Sequence, residues 1–114
     1  MALHVLKYAV GINNINNLRD RQSECLRKFG RIFNVTRLAP RRREEILDGG
    51  SIYWIIKRHI RVRQQIVDIV KVNSERPGVE IILSEKLYAT TLSPRRPHQG
   101  WRYLEDSQAP PDLS

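Results

Sequence analysis

Alternating apolar and polar residues dominate the middle of the chain, from Ile52 to Arg63. In an extended strand alternate side chains share a face, so one face of this run is predicted to be apolar and the other basic. The run is about twice the length of a typical strand, and we therefore expect a bend or bulge near residues 57–59. The predicted basic side carries Tyr53, Ile55, Lys57, His59, Arg61 and Arg63, and the predicted apolar side carries Ile52, Trp54, Ile56, Ile60 and Val62.

Elsewhere the pattern alternates β-rich segments with two helical ones. β-branched residues mark the strands, because they fit a pleated surface, and Leu18, Cys25, Leu26 and Phe29 recur at helical spacing. Glycine, proline and asparagine mark the boundaries. The predicted elements are a strand at 3–11, a helix from the N-cap Asn17 to Gly30, a strand at 31–38, a short helix from Pro40 to Leu47, and strands at 60–72 and 79–83 joined by a turn at 73–78.

These elements predict one α+β domain over residues 1–104. Its sheet is expected to be curved and mainly antiparallel, or to form a small, partly open β-barrel, with two flanking helices. A chain of 114 residues has room for one hydrophobic core. Residues 105–114 form an acidic, proline-rich tail that is predicted to lie on the surface or to fray.

Composition narrows the classes of function. One cysteine and three scattered histidines supply neither a disulfide nor a zinc ligand set, so we expect no metal and no cofactor. Cys25 lies late in its predicted helix and is interpreted as a core residue. The longest apolar stretches are far shorter than the roughly 20 residues that cross a membrane, and no secretory signal pattern opens the chain. The sequence therefore predicts a cytosolic protein that does not enter membranes.

The net charge of +8 comes from 20 basic and 12 acidic residues, and arginine supplies most of the cations. Because the planar guanidinium group suits phosphate and stacks on bases, this surplus favours RNA or a ribonucleoprotein assembly as the partner. Trp54 is expected in the core, whereas Trp101 could either close the end of a barrel or stack on a base. The candidate contact residues are Arg41, Arg42, Arg43, Tyr53, Lys57, His59, Arg61, Arg63, Arg95, Arg96, His98, Gln99, Trp101, Arg102 and Tyr103.

Two other functions fit the same residues. The cationic face could instead dock an acidic protein, with the arginine- and aromatic-rich loop at 95–103 as its centre. Alternatively, His59 or His98 could move protons beside arginines in a metal-independent RNA-processing enzyme. Catalytic motifs based on serine, cysteine, metal or a phosphate-binding loop are missing from the sequence, which favours a non-catalytic protein. Oligomeric state is not determined by any of these patterns.

Several long strings resemble domain-of-unknown-function family 1489. They are LDGGSIYWIIK at 47–57, RQ at 63–64, RRPHQGWRYL at 95–104 and APPDL at 109–113. The resemblance covers nearly the whole chain and implies a bacterial, alphaproteobacterial cytosolic protein, and it implies no catalytic residues. A remoter similarity to ASCH and other PUA-like domains rests on a helix at 41–47, a Gly-Gly turn and an aromatic strand ending in charge. That similarity implies a small β-barrel that binds RNA or modified bases.

Overall fold

The computed structural model describes residues 2–72 and 78–113. Residues 73–77 of the predicted turn between the fourth and fifth strands lie outside this part. Two helices and the first five strands follow the predicted order, and a sixth strand begins within the segment predicted as a loop. The elements are β1 (Leu3–Tyr8), α1 (Ile15–Phe29), β2 (Ile32–Thr36), α2 (Arg43–Leu47), β3 (Ser51–Ile56), β4 (His59–Lys71), β5 (Val79–Pro94), β6 (Trp101–Glu105) and a turn of 3-10 helix at Asp106–Gln108.

The strands form one sheet in the order β2-β5-β4-β3-β1-β6. β1 and β3 are parallel, and the other neighbouring pairs are antiparallel. The sheet curls until its two edges approach each other. At this point the Trp101 indole N–H of β6 donates to the carbonyl oxygen of Leu38, just after β2, at 2.9 Å. The prediction of an α+β fold with a curved, mainly antiparallel sheet is confirmed.

Apolar side chains cover both sides of the curled sheet. Inside the curl, the larger cluster joins the sheet to α1 and α2 through residues such as Leu18, Ile46 and Trp54. A smaller cluster lies on the outside and consists of Leu6, Tyr53, Ile55, Ile60 and Leu104, with Ala109 packed against it. Every residue of β3 is therefore buried. The prediction that Trp54 belongs to the core is confirmed.

Helix α1 begins earlier than predicted. Asn14, not Asn17, is the N-cap, because its extended backbone lets its side chain accept a hydrogen bond from the Asn17 N–H at 2.8 Å. Gly30 ends the helix in the left-handed conformation, as predicted. The buried face differs from the predicted one: Phe29 is 56% exposed, whereas the polar Gln22 is buried. Cys25 is only partly buried.

The segment predicted as a loop at 95–103 ends in a strand. Trp101, Arg102 and Tyr103 belong to β6, which pairs with β1 along the edge of the sheet. After β6 the chain packs against the outside of the curl, where Asp112 forms a β-bridge with Thr90. The Leu113 N–H also donates to the carbonyl oxygen of Ala89 at 2.9 Å. The acidic, proline-rich tail thus extends the sheet rather than projecting from it.

Candidate nucleic-acid interface

A two-residue turn places two cations at the tip of the β3–β4 hairpin. Lys57 and Arg58 both adopt positive φ angles, of 49° and 71°. Such turns match the twist of the flanking strands but usually contain asparagine and glycine, which tolerate this conformation. The expected bend near residues 57–59 is therefore a complete reversal of the chain. Arg58, which was not among the predicted contact residues, points into solvent beside Lys57.

Arg61 is an extra residue in β4. Val62 pairs with Trp54 and Ile60 pairs with Ile55, so Arg61 has no partner on β3 and forms a β-bulge. Its Nε–H donates to the carbonyl oxygen of Ile56 at 2.9 Å, which holds the guanidinium group beside the hairpin tip.

Because of the bulge, Ile60 lies on the opposite face of the sheet from the one predicted. Ile60 was assigned to the same side as Ile52 and Val62, but it packs in the outer cluster with Tyr53 and Ile55. One inserted residue exchanges the two faces of a strand, because side chains alternate with a period of two. Val62 keeps its predicted place with Ile52 and Trp54 inside the curl.

The end of β5 adds two more arginines to the hairpin tip. The Arg95 N–H donates to the carbonyl oxygen of Arg58 at 2.8 Å. The Arg95 side chain donates to Ser93 and to the carbonyl oxygen of Pro94, and Arg96 is exposed. We call this surface the basic end, and it consists of Lys57, Arg58, Arg61, Arg95 and Arg96.

Acidic residues are far from the basic end in sequence and form no ion pairs with it. Segments 1–19, 49–67 and 86–104 contain no aspartate or glutamate, and they include the hairpin, the end of β5 and the loop before α1. Within residues 2–72 and 78–113, no cation of the basic end forms a salt bridge with a carboxylate. Its positive charge is therefore not neutralised by these described residues.

An open groove of about 590 Å³ runs beside the basic end. Lys57 and Arg61 line one wall, and the first turn of α1, including Asn16, lines another. The first N–H groups of a helix lack intrahelical partners and give its N-terminus a partial positive charge. Leu92 and Leu113 line the groove as well, and both are largely exposed. The groove therefore combines positive charge with apolar surface.

Two of the three predicted arginines at 41–43 are paired with carboxylates. Arg42 binds Glu45 and Glu105, and these hydrogen bonds raise the pKa of its guanidinium group. The Arg43 side chain bonds Asp68 at 2.7 Å and also Glu44. Among the described residues, Arg41 has no carboxylate partner, and it lies exposed before α2. The arginines at 41–43 are therefore not part of the basic end, and two of them lie beside carboxylates.

Tyr53 and Arg63 lie away from the basic end. Tyr53 is only 5% exposed, and burial raises the pKa of its phenol. It was predicted to contact RNA, but β3 is a central strand whose outer face is covered. Arg63 forms a two-point ion pair with Asp112 and lies over the Tyr88 ring, with its guanidinium carbon 4.4 Å from the ring centre.

The predicted residues of the 98–103 segment divide between core and surface. Trp101 packs edge-to-face on Tyr103 and against the inner cluster, with ring centres 4.8 Å apart. The Trp101 ring is thus partly buried, and its stacking on a base stays a prediction. Gln99 and Arg102 are exposed, whereas His98 is partly buried and burial lowers the pKa of its ring. His59 is partly exposed at the start of β4, with Nδ1 3.3 Å from the carbonyl oxygen of Lys57.

A serine, a histidine and an aspartate meet on the outside of the sheet, and no sequence motif predicted this cluster. His4 Nδ1 accepts the backbone N–H of Ser51 at 3.0 Å, and Nε2 lies 2.8 Å from Asp106. Both ring nitrogens are thus engaged, so His4 has no free lone pair with which to activate a nucleophile. The Ser51 hydroxyl is buried and accepts a hydrogen bond from Arg63. The cluster joins β1, β3 and the tail, and its role is structural.

Other classes of site find little support in the described part of the chain. Across residues 2–72 and 78–113, His, Cys, Asp and Glu side chains form no group of three that could hold a metal ion. None of the helices described has the length and apolar character needed to cross a membrane.

Comparison with known proteins identifies the family and nothing more detailed. Searches against curated proteins and against solved structures give no match, and the similarity to PUA-like domains therefore stays a prediction. A family model described as "Protein of unknown function (DUF1489)" matches residues 5–114, which is almost the whole chain. The chain thus belongs to the DUF1489 family, as its sequence strings predicted.

Proposed function

We propose that this protein binds RNA without cleaving it, and that the basic end is the contact surface. The main observation is that five cations without a described carboxylate partner are grouped together at the basic end. Arg42, Arg43 and Arg63 are paired with carboxylates, whereas the five cations of the basic end pair with none of the described ones. Cations without internal partners are the ones that can neutralise phosphates and release counterions.

The shape of the surface supports contacts to the nucleic-acid backbone more than to bases. Of the aromatic residues predicted to contact RNA, Tyr53 is buried, and Trp101 and Tyr103 are partly buried against the inner cluster. Phosphate contacts position a nucleic acid but carry no sequence information. We therefore expect weak dependence on base sequence and strong dependence on salt. The groove beside Lys57 and Arg61 gives a strand a path along the basic end.

Fluorescence anisotropy with single-stranded RNA, matched DNA and an RNA hairpin tests this proposal. The test variant replaces Lys57, Arg61 and Arg96 with glutamine. Its matched control replaces Lys28, Arg37 and Lys71, which are exposed cations elsewhere on the surface, so that both variants lose the same charge. We expect the test variant to weaken RNA binding. The slope of log affinity against log salt should fall by about 2, since each phosphate contact to a single strand contributes about 0.7.

Four outcomes would overturn the proposal. Equal losses in the test and control variants would mean that net charge alone attracts the RNA. Unchanged affinity in the test variant would remove the basic end from the interface. If RNA is not bound near physiological salt while an acidic peptide is, the surface serves a protein partner instead. Product formed from RNA, and lost in His59→Ala or His98→Ala, would indicate an enzyme.

A further inference from the structure

A second cavity lies inside the curl, between α1 and the strands, and it does not belong to the basic end. Its volume is about 190 Å³, the space of roughly six water molecules. Its charged and amide side chains come from three elements: Lys7 of β1, Arg21 and Gln22 of α1, and Asn34 of β2. Trp54 and Leu83 contribute apolar wall. The curl of the sheet brings β1 and β2 to the same cavity although three strands separate them.

Lys7 brings a positive charge to this cavity without a matching negative one. It pairs with Trp54 on one side and Trp101 on the other, between the apolar residues of β1 and α1. Among the residues that the structure describes, no carboxylate forms a salt bridge with its amine. Burial accordingly lowers the pKa of Lys7. A bound anion would offset this loss of hydration.

Asn34 offers a hydrogen-bond acceptor to the same cavity. It pairs with Ile81, a fully buried residue, so its side chain is on the inner face of β2. The amide oxygen Oδ1 is buried and has no hydrogen-bond partner within the described chain. A buried polar atom without a partner costs about 1–3 kcal/mol, so such atoms are usually satisfied by water or by a ligand.

Arg21 and Gln22, which also line the cavity, have partners within the protein, and the Arg21 guanidinium group donates to the carbonyl oxygen of Val10 at 2.7 Å. Gln22 and Gln64 exchange two amide hydrogen bonds, of 2.8 and 2.7 Å. The Trp54 indole N–H donates to the Gln64 side-chain oxygen at 3.2 Å, and the Gln64 amide also donates to the carbonyl oxygen of Ser84. The network holds Gln22 at the wall of the cavity, and Lys7 and Asn34 line the cavity outside this network.

We propose that this cavity binds a small carboxylate that also carries an N–H or O–H donor a few atoms away. The carboxylate accepts hydrogen bonds from the Lys7 ammonium group, and the donor group bonds Asn34 Oδ1. The apolar walls, including Trp54 and Leu83, pack against the carbon atoms between the two polar groups. This site is independent of RNA binding, since it uses none of the cations of the basic end.

Three matched probes test the proposal by NMR. N-acetylglycine has the carboxylate and an amide donor, acetoxyacetate replaces the N–H with an ester oxygen, and N-acetylglycinamide lacks the charge. The chain has two tryptophans, so the Trp54 indole N–H resonance is identified by comparison with Trp101→Phe. Probes this small bind in the millimolar range, and titration to about 50 mM is needed. We expect N-acetylglycine to move the Trp54 resonance at lower concentration than the other two.

Substitutions assign the two contacts. Lys7→Met should weaken N-acetylglycine binding at least about tenfold, since it removes a charge-assisted hydrogen bond. Lys57→Met, which loses the same charge on the surface, should leave that binding unchanged. Asn34→Leu should abolish the preference for N-acetylglycine over acetoxyacetate.

A Trp54 resonance that none of the three probes moves in the wild-type protein would overturn the proposal. So would equal binding of N-acetylglycine to wild type and Lys7→Met. The probes are compared on the wild-type protein, and Trp101→Phe serves only to assign its resonances, so the comparison holds even if Lys7→Met or Asn34→Leu disturbs folding.

Discussion

The guanidinium group of Arg63 and the carboxylate of Asp112 form a two-point ion pair, with N–O distances of 2.7 and 2.8 Å. The pair joins β4 to the tail, and the Thr90–Asp112 bridge lies beside it. A bidentate arginine–carboxylate pair of this kind is directional, and it is stronger than a single hydrogen bond. Arg63 therefore holds the tail on the sheet, which explains why it is not free to contact a phosphate.

Removal of this pair should destabilise the protein in a pH-dependent way. The hydrogen bond from Arg63 lowers the pKa of Asp112 below its ordinary value of 3.8. A carboxyl group with a lowered pKa stabilises the fold above its unfolded pKa, and this contribution is lost as the pH falls through the folded pKa. We expect Asp112→Asn to lower the unfolding free energy by about 1 kcal/mol at neutral pH, because solvent screens the partly exposed carboxylate.

Urea unfolding at a series of pH values measures this effect. The difference between Asp112→Asn and wild type should be full above about pH 5 and should shrink below the ordinary pKa of the carboxyl group. Asp48→Asn, at an exposed carboxylate with no salt bridge among the described residues, is the control. A difference that stays constant down to acid pH would show that the ion pair is not its source.

Local patterns were enough to predict much of the fold. The β-branched residues of 60–72 and 79–83 indicated the β4–β5 hairpin, and Gly30 indicated the end of α1. The parallel pairing of β1 with β3 could not be read from the sequence, because it joins segments that are far apart in the chain. The turn at Lys57 and Arg58 was missed because it lacks the usual glycine or asparagine.

Prediction of the candidate site was limited by long-range pairing. The cations predicted at 57–61 and 95–96 lie together at the hairpin tip, whereas Arg63 is paired with Asp112, and a role in binding stays a prediction. Which arginines are neutralised depends on Asp68, Glu105 and Asp112, which lie far from their partners in sequence. The cavity at Lys7 was missed for the same reason, since it forms only when the sheet curls.

Gly49 and Gly50, which lie in the turn before β3, should differ sharply in their tolerance of substitution by alanine. A Cβ atom on Gly50 would overlap the backbone carbonyl oxygens of Leu3 and Ile46, and neither can move without disturbing β1 or α2. We expect Gly50→Ala to cost about 3 kcal/mol or more. Gly49 has a φ of 92° but open space around it, so Gly49→Ala should cost only about 1 kcal/mol. Similar losses for the two variants, measured by urea unfolding, would contradict this close packing.

The buried pair of Gln22 and Gln64 should behave as one unit. Gln64→Leu leaves the Gln22 amide and the Trp54 N–H without partners, and we expect a loss of about 2–4 kcal/mol. Gln22→Leu removes one partner of the same network. The double variant should cost less than the sum of the two single variants, because it removes both halves of the amide pair. A double-mutant cycle in urea measures the coupling, and strictly additive losses would mean that the two side chains do not interact.

The hairpin tip should show stability and RNA binding changing in opposite directions. Lys57 and Arg58 hold positive φ angles, which cost free energy for residues with a Cβ atom. The double substitution Lys57→Asn and Arg58→Gly supplies the residues that this turn favours, and we expect it to raise the unfolding free energy by about 1 kcal/mol. The same change removes two cations from the basic end, and RNA affinity should fall about tenfold at moderate salt.

Thermal unfolding and fluorescence anisotropy on one sample measure the stability and the RNA affinity of this hairpin variant. Lys71→Gln combined with Arg37→Gln removes the same charge elsewhere and should change neither by a comparable amount. A hairpin variant that gains stability and keeps full RNA affinity would show that the strained turn does not serve binding.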